Sequence, residues 1–277
     1  MVLGPVSRGD GERSPQPVNR GRLGWDSTLP RRVLCLVAAA AVVGSVAASP
    51  AAGLSPSRPH AETFATARAQ SRPGTLLGEA EHEYDTMTAS RYQAALRVDL
   101  PRGTYFYDCV GFVTYALGRV APTARDTIYR TFNIAPNRIP SPARYVALFG
   151  QLNRTQAGWQ PVSRVADLAP GDVVAWTYTH PHGSNGHAFV VGSAPRRDGT
   201  NKYLVTVWDS TATPHGPGDT RLTNSKNLPG GNGKPSGLGR GQVALDTAAN
   251  GSILRVHWSP NGSAVGPATY GMGRPIS

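Results

Sequence analysis

The chain has only two cysteines in 277 residues, Cys35 and Cys109, and no pair of them can staple a fold together. Cys35 lies inside an N-terminal apolar run that reads as a cleavable segment, so the part that folds is left with one thiol and no partner for an internal disulfide. Such a chain must build an ordinary packed core, and its lone thiol needs another reason to be present. Cys109 sits in Tyr107-Asp108-Cys109-Val110-Gly111-Phe112-Val113, at the expected start of a helix.

The N-terminus reads as an export signal over residues 1–48. A polar stretch ends in Arg31-Arg32, Val33 to Ala48 is nearly all apolar, and small residues follow. These are the three parts of a secretory signal, with Ser45-Val46-Ala47 and Val46-Ala47-Ala48 both fitting a cleavage site. Arg31-Arg32-Val33-Leu34 partly matches a twin-arginine signal, and a general secretory signal fits as well. The run is short of the ~20 residues that span a bilayer, and no later segment is apolar enough, so no membrane association beyond the signal is expected. The expected location is secreted or extracellular, including attachment to a cell wall.

Removing residues 1–48 takes six arginines and three acidic residues from the 28 Lys+Arg and 17 Asp+Glu, and leaves a net charge of +8. The remaining arginines are scattered and lack an interleaved aromatic–basic motif, so a nucleic-acid partner is not expected. A positive balance outside the cell suits adhesion to an anionic wall or membrane surface.

Residues 49–74 are rich in Ala, Pro, Ser and Arg and read as a disordered linker. Residues 75–277 are long enough for one domain with its own core, and a monomer is expected. Within it, 75–97 has good helix formers and no proline, which predicts a leading helix. From Asp108 the apolar residues Cys109, Phe112, Val113, Ala116 and Leu117 follow helical spacing. Asp108 is a suitable N-cap and Gly118 a plausible stop. A short helix is expected near Ala143–Leu152, with loop around it. Strands are expected at 173–176, 187–193, 203–209 and 253–258, and loop over 211–240. Gly230-Gly231-Asn232-Gly233 lacks the flanking strand and helix of a nucleotide-binding turn.

The candidate chemistry centres on Cys109, because a helix N-terminus favours a thiolate through its unpaired N–H groups and dipole. His187, at the head of the strand Gly186-His187-Ala188-Phe189-Val190-Val191, is the candidate base, with Gly186 leaving room beside it. If 187–193 and 203–209 form a hairpin closing at 193/203, His187 faces Asp209 across the pair. A carboxylate there would hold the imidazole in one tautomer, and a one-residue slip would destroy the pairing.

These segments also carry a family resemblance. Asp108-Cys109-Val110-Gly111-Phe112-Val113 resembles the DCSGFV signature of the NlpC-like, papain-like cysteine peptidases of bacterial cell walls. Leu168-Ala169-Pro170-Gly171-Asp172-Val173-Val174 resembles their L-x-P-G-D-L-V turn and strand, and Gly186 to Gly192 their G-H-V-G-I-Y-x-G strand. The motifs occur in the family's order over roughly residues 75 to 210. The resemblance implies an α+β, papain-like fold with the nucleophile helix packed on an antiparallel β-sheet. It also implies a hydrolase cutting peptidoglycan stem peptides or other peptide substrates without a cofactor, often after D-glutamate. Val110 stands where the family has serine, the Cys–His separation is long, and Asp209 takes the place of a common histidine.

The expected reaction uses Cys109 as nucleophile, His187 as base and then acid, and Asp209 to orient His187. The backbone N–H of Cys109 would help bind the oxyanion, and the resemblance implies that Tyr107, with Asp108 beside it, lines the substrate cleft. His215 and His180 are reserve partners for the imidazole. Other readings are a buried structural Cys109, a non-catalytic wall-binding or effector module, and a thiol acyltransferase or deamidase. A zinc site at His180, His182 and His187 is disfavoured because their loop holds Pro and Gly and lacks helical spacing, so no metal is expected. Trp176, Trp208 and Trp258 are expected in the core rather than as sugar platforms.

Overall fold

The computed structural model describes residues 74–179 and 185–276. The predicted export signal, the predicted linker up to residue 73, and His180 and His182 lie outside the described residues.

Helix α1 (Leu76–Thr86) begins at Thr75, whose side chain accepts from the Gly78 amide at 3.1 Å. It stops well short of the predicted end at Arg97. Met87 turns extended, and the Thr88 amide donates to the Gly103 carbonyl at 2.7 Å. The segment beyond it is drawn into a three-stranded sheet of β1 (Ala89–Tyr92), β2 (Arg97–Asp99) and β3 (Thr104–Tyr107). The central strand β3 is parallel to β1 and antiparallel to β2. Tertiary pairing has overridden local helix propensity there.

Helix α2 (Cys109–Val120) starts where the sequence predicts, with Asp108 accepting from the Gly111 amide at 2.7 Å. All five residues of its predicted apolar stripe are buried. Gly118 does not end it; a Cβ there would come within 2.8 Å of the Arg125 side chain, so the glycine admits the following helix instead. That helix, α3 (Pro122–Thr131), lies in a stretch expected to be loop and begins on proline, the residue preorganised for a first turn. Helix α4 (Pro142–Gln151) lies one residue ahead of its predicted span.

The large sheet contains β4 (Trp159–Pro161), β5 (Val173–Tyr178), β6 (Gly186–Val191), β7 (Arg196–Arg197), β8 (Lys202–Thr211), β9 (Gly237–Thr247), β10 (Ile253–His257) and β11 (Ala268–Pro275). Its order is β10-β9-β8-β6-β5-β11-β4, with β7 paired to β8, and its ladders are antiparallel. Strand β9 occupies the end of the segment expected to be loop, and β11 lies in a region for which no element was predicted.

Alternation along the central strands builds two cores. Val173, Ala175, Ala188, Val190 and Trp208 pack with the helices, Cys109, Phe112 and Val113 among them. Val174, Trp176, Phe189, Val191, Val205 and Val207 pack on the other face with Leu245 and Val256. The architecture is therefore mixed α+β, with the helix that begins at Cys109 packed on an antiparallel sheet. No helix among the described residues is long and apolar enough to cross a membrane.

Candidate active site

The site forms where the start of α2 meets the ends of β6 and β8. Cys109 is the first residue of its helix and only 4% exposed. The backbone N–H of Ala188, the neighbour of His187, lies near enough to its sulfur to favour the thiolate. Burial raises the Asp108 carboxyl, opposed by the Gly111 amide and by His187. The imidazole strand and the thiol helix therefore meet at Asp108-Cys109.

Gly186 is required for this approach. Its φ is +139°, and a Cβ on it would come within 2.0 Å of the Trp176 carbonyl oxygen. His187 follows, paired directly with Trp176 across β5 and β6. Its ring lies between Trp176 and Trp258, with centroids 5.0 Å from each.

His187 Nε2 is 2.6 Å from Asp209 Oδ2, and both side chains are buried. The predicted pairing of these residues is thus present, but the predicted register is not. Strand β6 pairs Val190 with Trp208 and Val191 with Val207, two residues away from the expected alignment. The short β7 intervenes and pairs Arg196 with Leu204, so the turn is longer than a symmetric hairpin allows. A shift of two preserves side-chain parity, and His187 and Asp209 remain on one face.

Asp209 is held from behind by two buried groups, His215 and Arg221. His215 Nε2 lies 2.8 Å from the same Oδ2 atom, and its Nδ1 lies 2.8 Å from the Trp258 carbonyl. Arg221 donates to Asp209 Oδ1 and to its main-chain carbonyl, and to Asp219 at 2.7 Å. Asp219 in turn accepts from the His215 amide at 2.7 Å. His215 is therefore a partner of Asp209 rather than a substitute for it, and Arg221 and Asp219 complete a network that sequence reading missed.

The signal for that network is the spacing Gly237-x-Gly239-x-Gly241. In strand β9, Gly239 and Gly241 turn bare backbone to the cluster, whereas a Cβ at Gly237 would strike Ser90 Oγ. A Cβ at Gly239 would strike the Arg221 side chain at 2.6 Å, and one at Gly241 would strike His215 Cβ at 2.6 Å. Bare backbone on β9 makes the trough in which this cluster lies.

The electrostatics follow from burial. Desolvation pushes the Cys109 thiol up, with Asp108 and Asp209 adding to the effect and the Ala188 N–H opposing it. Desolvation also lowers His187, against the influence of Asp209. Burial acts to raise Asp209, but the charges of His215 and Arg221 and the hydrogen bonds from both imidazoles hold it well below the carboxylate range. The resting pair is thus a neutral thiol and a neutral imidazole beside an ionised carboxylate.

A cleft of about 1060 Å³ opens over the helix start, with Tyr92, Asp108, Cys109, Tyr115, Arg138 and Asn185 among its lining. Tyr92 was not singled out in the sequence. Burial raises its phenol, with Cys109 and Asp108 adding to the effect, so it remains a hydroxyl donor at the cleft wall. Asp108 lines the cleft as expected, but Tyr107 does not. Tyr107 is fully buried and donates to Glu83 Oε2 at 2.6 Å, because β3 alternation turns it toward α1. Trp176 and Trp208 are core residues, whereas Trp258 is partly exposed and walls the two histidines.

The two imidazole Nε2 atoms and an Asp209 carboxylate oxygen lie within 4.8 Å of one another, close enough to surround an ion. Arg221 already supplies a positive charge to that carboxylate, and a dication added beside it would leave the buried cluster with uncompensated charge. The donor set fits protons better than a metal.

The chain is similar to the uncharacterised protein R653 of Acanthamoeba polyphaga mimivirus, with 27% identity over 168 residues, covering 55% of this chain and 68% of that protein. No protein-family model and no solved structure matches it.

Proposed function

We propose that the protein is an exported cysteine hydrolase of papain-like architecture that cleaves amide bonds, with peptidoglycan stem peptides as the preferred substrate class. The observation that carries this reading is the capped helix bearing Cys109 at the wall of the cleft, beside Gly186 and Ala188 of the strand that holds the buried His187–Asp209 pair. In this reading Asp209 accepts the proton-bearing Nε2 of His187, which leaves Nδ1 as the acceptor. His187 takes the Cys109 proton as sulfur attacks the amide carbonyl, and later gives it to the leaving amine. The main-chain N–H of Cys109 stabilises the oxyanion, with Tyr92 as a second donor from the cleft wall. Water then hydrolyses the thioester, and this route uses no cofactor. The ordered resemblance to NlpC-like peptidases in the Cys109, Pro170-Gly171-Asp172 and His187 segments supports the substrate class.

The burial of Cys109 favours a second reading, a wall-binding or effector module that keeps the fold without the chemistry. Both readings are tested by incubating the purified protein and a Cys109→Ala variant with several peptidoglycan types and analysing soluble fragments by mass spectrometry. Fragments made only by the thiol-bearing protein are expected, and their ends identify the bond cut. Sedimentation with intact wall and no fragments from either protein would overturn the hydrolase in favour of the binding module.

A further inference from the structure

The hydrogen bonds of His215 have one consistent solution. Its Nδ1 faces the Trp258 carbonyl and its Nε2 faces Asp209 Oδ2, each at 2.8 Å. A carbonyl and an ionised carboxylate accept protons and have none to give. A neutral imidazole carries one N–H, so it would aim a lone pair at one of these oxygens. The side chain is wholly buried, and the ring packs on Trp258 with centroids 4.2 Å apart.

Charge counting leads to the same answer. The groups facing this ring are Asp209 and its partner His187 from the sheet, Asp219 and Arg221 from the turn after it, and the uncharged Trp258. Strand β9 presents only Gly239 and Gly241 there. With Arg221 positive and Asp209 and Asp219 negative, a second proton on His215 makes the cluster neutral. A neutral His215 leaves a net negative charge buried, and a divalent ion on neutral rings leaves a net positive one.

We infer that His215 is a positioning residue held as an imidazolium, which pins the Asp209 carboxylate so that His187 keeps its proton on Nε2 and its lone pair on Nδ1. Arg221 occupies the other carboxylate oxygen, so Oδ2 is left to the two imidazoles. The catalytic consequence rests on the hydrolase reading, whereas the protonation pattern does not.

The test is nitrogen-15 NMR of histidine-labelled full-length Cys109→Ala protein at neutral pH, with a His215→Gln variant to assign the signals. Both ring nitrogens of His215 are expected to appear as N–H, and His187 to carry its proton on Nε2 alone. A bare nitrogen on His215 overturns the inference. So does binding of one equivalent of zinc that shifts both rings, because a metal would then occupy the place of the protons.

A second readout follows alkylation of Cys109 against pH in the thiol-bearing protein and its His215→Gln variant. Loss of the pinned tautomer should slow reaction at neutral pH by up to about 100-fold, the lower end of what a positioned general base contributes. Equal rates in a folded variant overturn the positioning role. If the variant does not fold, a His187→Gln variant assigns the signals instead and the NMR pattern decides. Failure to cut any peptidoglycan, with the NMR pattern intact, counts against the hydrolase reading and leaves the imidazolium standing.

Discussion

Ser210 Oγ donates a 2.7 Å hydrogen bond to the main-chain carbonyl of Tyr107, two residues before the candidate nucleophile. Its chain neighbour Asp209 holds His187. Strand β8 therefore fixes the approach to the thiol and the imidazole through adjacent residues with side chains on opposite faces. Ser210→Ala removes this donor and leaves the carbonyl with the Gln93 amide at 3.2 Å, so the loss should be that of one hydrogen bond, about 0.5–1.5 kcal/mol of stability. Chemical denaturation reads this loss, and alkylation of Cys109 should slow with it. An unchanged denaturation midpoint would show that β8 does not anchor the Tyr107-Asp108-Cys109 turn.

Burial sets the pH dependence. On the proposed hydrolase reading His187 must be neutral to accept a proton, and its value is lowered by desolvation. The acid limb of kcat/KM should therefore lie below the ordinary histidine value of about 6.5. Cys109 is pushed up, so no activity gain is expected near the usual cysteine value of about 8.5. Stability has the same sign for His187 and Asp209, because both values are lowered in the folded protein. Their contributions are full above the unfolded values and are lost as pH falls, first below about 6.5 and then below about 3.9. A rate profile rising with thiol ionisation near 8.5 would refute the neutral resting pair.

The His187–Asp209 pair was legible because it depends on parity. Alternation in Gly186–Val191 and Lys202–Thr211 puts His187 and Asp209 on one face for any even register, so an error of two residues did no harm. The supporting cluster was hidden for a physical reason. Gly237-Leu238-Gly239-Arg240-Gly241 reads as loop because glycine is a poor strand former, yet bare backbone is what His215 and Arg221 need there. Pro122 opens a helix in a stretch read as loop, and Ala89–Tyr92 leaves a helical composition to pair with β3. Tyr107 precedes the thiol in sequence but belongs to a strand, whose alternation buries its ring against α1 rather than in the cleft.

Gly186→Ala tests whether the β6 entry is as tightly specified as its backbone implies. The added Cβ would lie 2.0 Å from the Trp176 carbonyl oxygen at a φ of +139°. Overpacking and backbone strain at one position together should cost about 3 kcal/mol or more. Thermal denaturation should show a large fall in Tm, and any folded remainder should lose Cys109 reactivity because Ala188 no longer meets the sulfur. A variant with the parent's Tm would mean that β6 can enter the sheet by another path.

Glu83 offers a stability test away from the thiol. It is fully buried, Oε2 accepts the Tyr107 hydroxyl at 2.6 Å, and Oε1 has no hydrogen-bond partner. Desolvation raises its value well above the carboxylate range, with Glu79 adding to the rise and Tyr107 and Arg119 opposing it. The folded protein therefore holds a neutral acid where the unfolded chain ionises above about pH 4.3. Its contribution to stability is present below that value and is lost as pH rises toward the folded value. Glu83→Gln keeps a carbonyl oxygen for Tyr107 and cannot ionise. The stability of the variant relative to the parent should grow as pH rises above about 4.3, by up to ~1.4 kcal/mol per pH unit. Urea denaturation across that range measures the slope, which is independent of any constant cost of burying the amide. Parallel profiles for the two proteins would mean that Glu83 is ionised in the folded state, and that Tyr107 and Arg119 outweigh its burial.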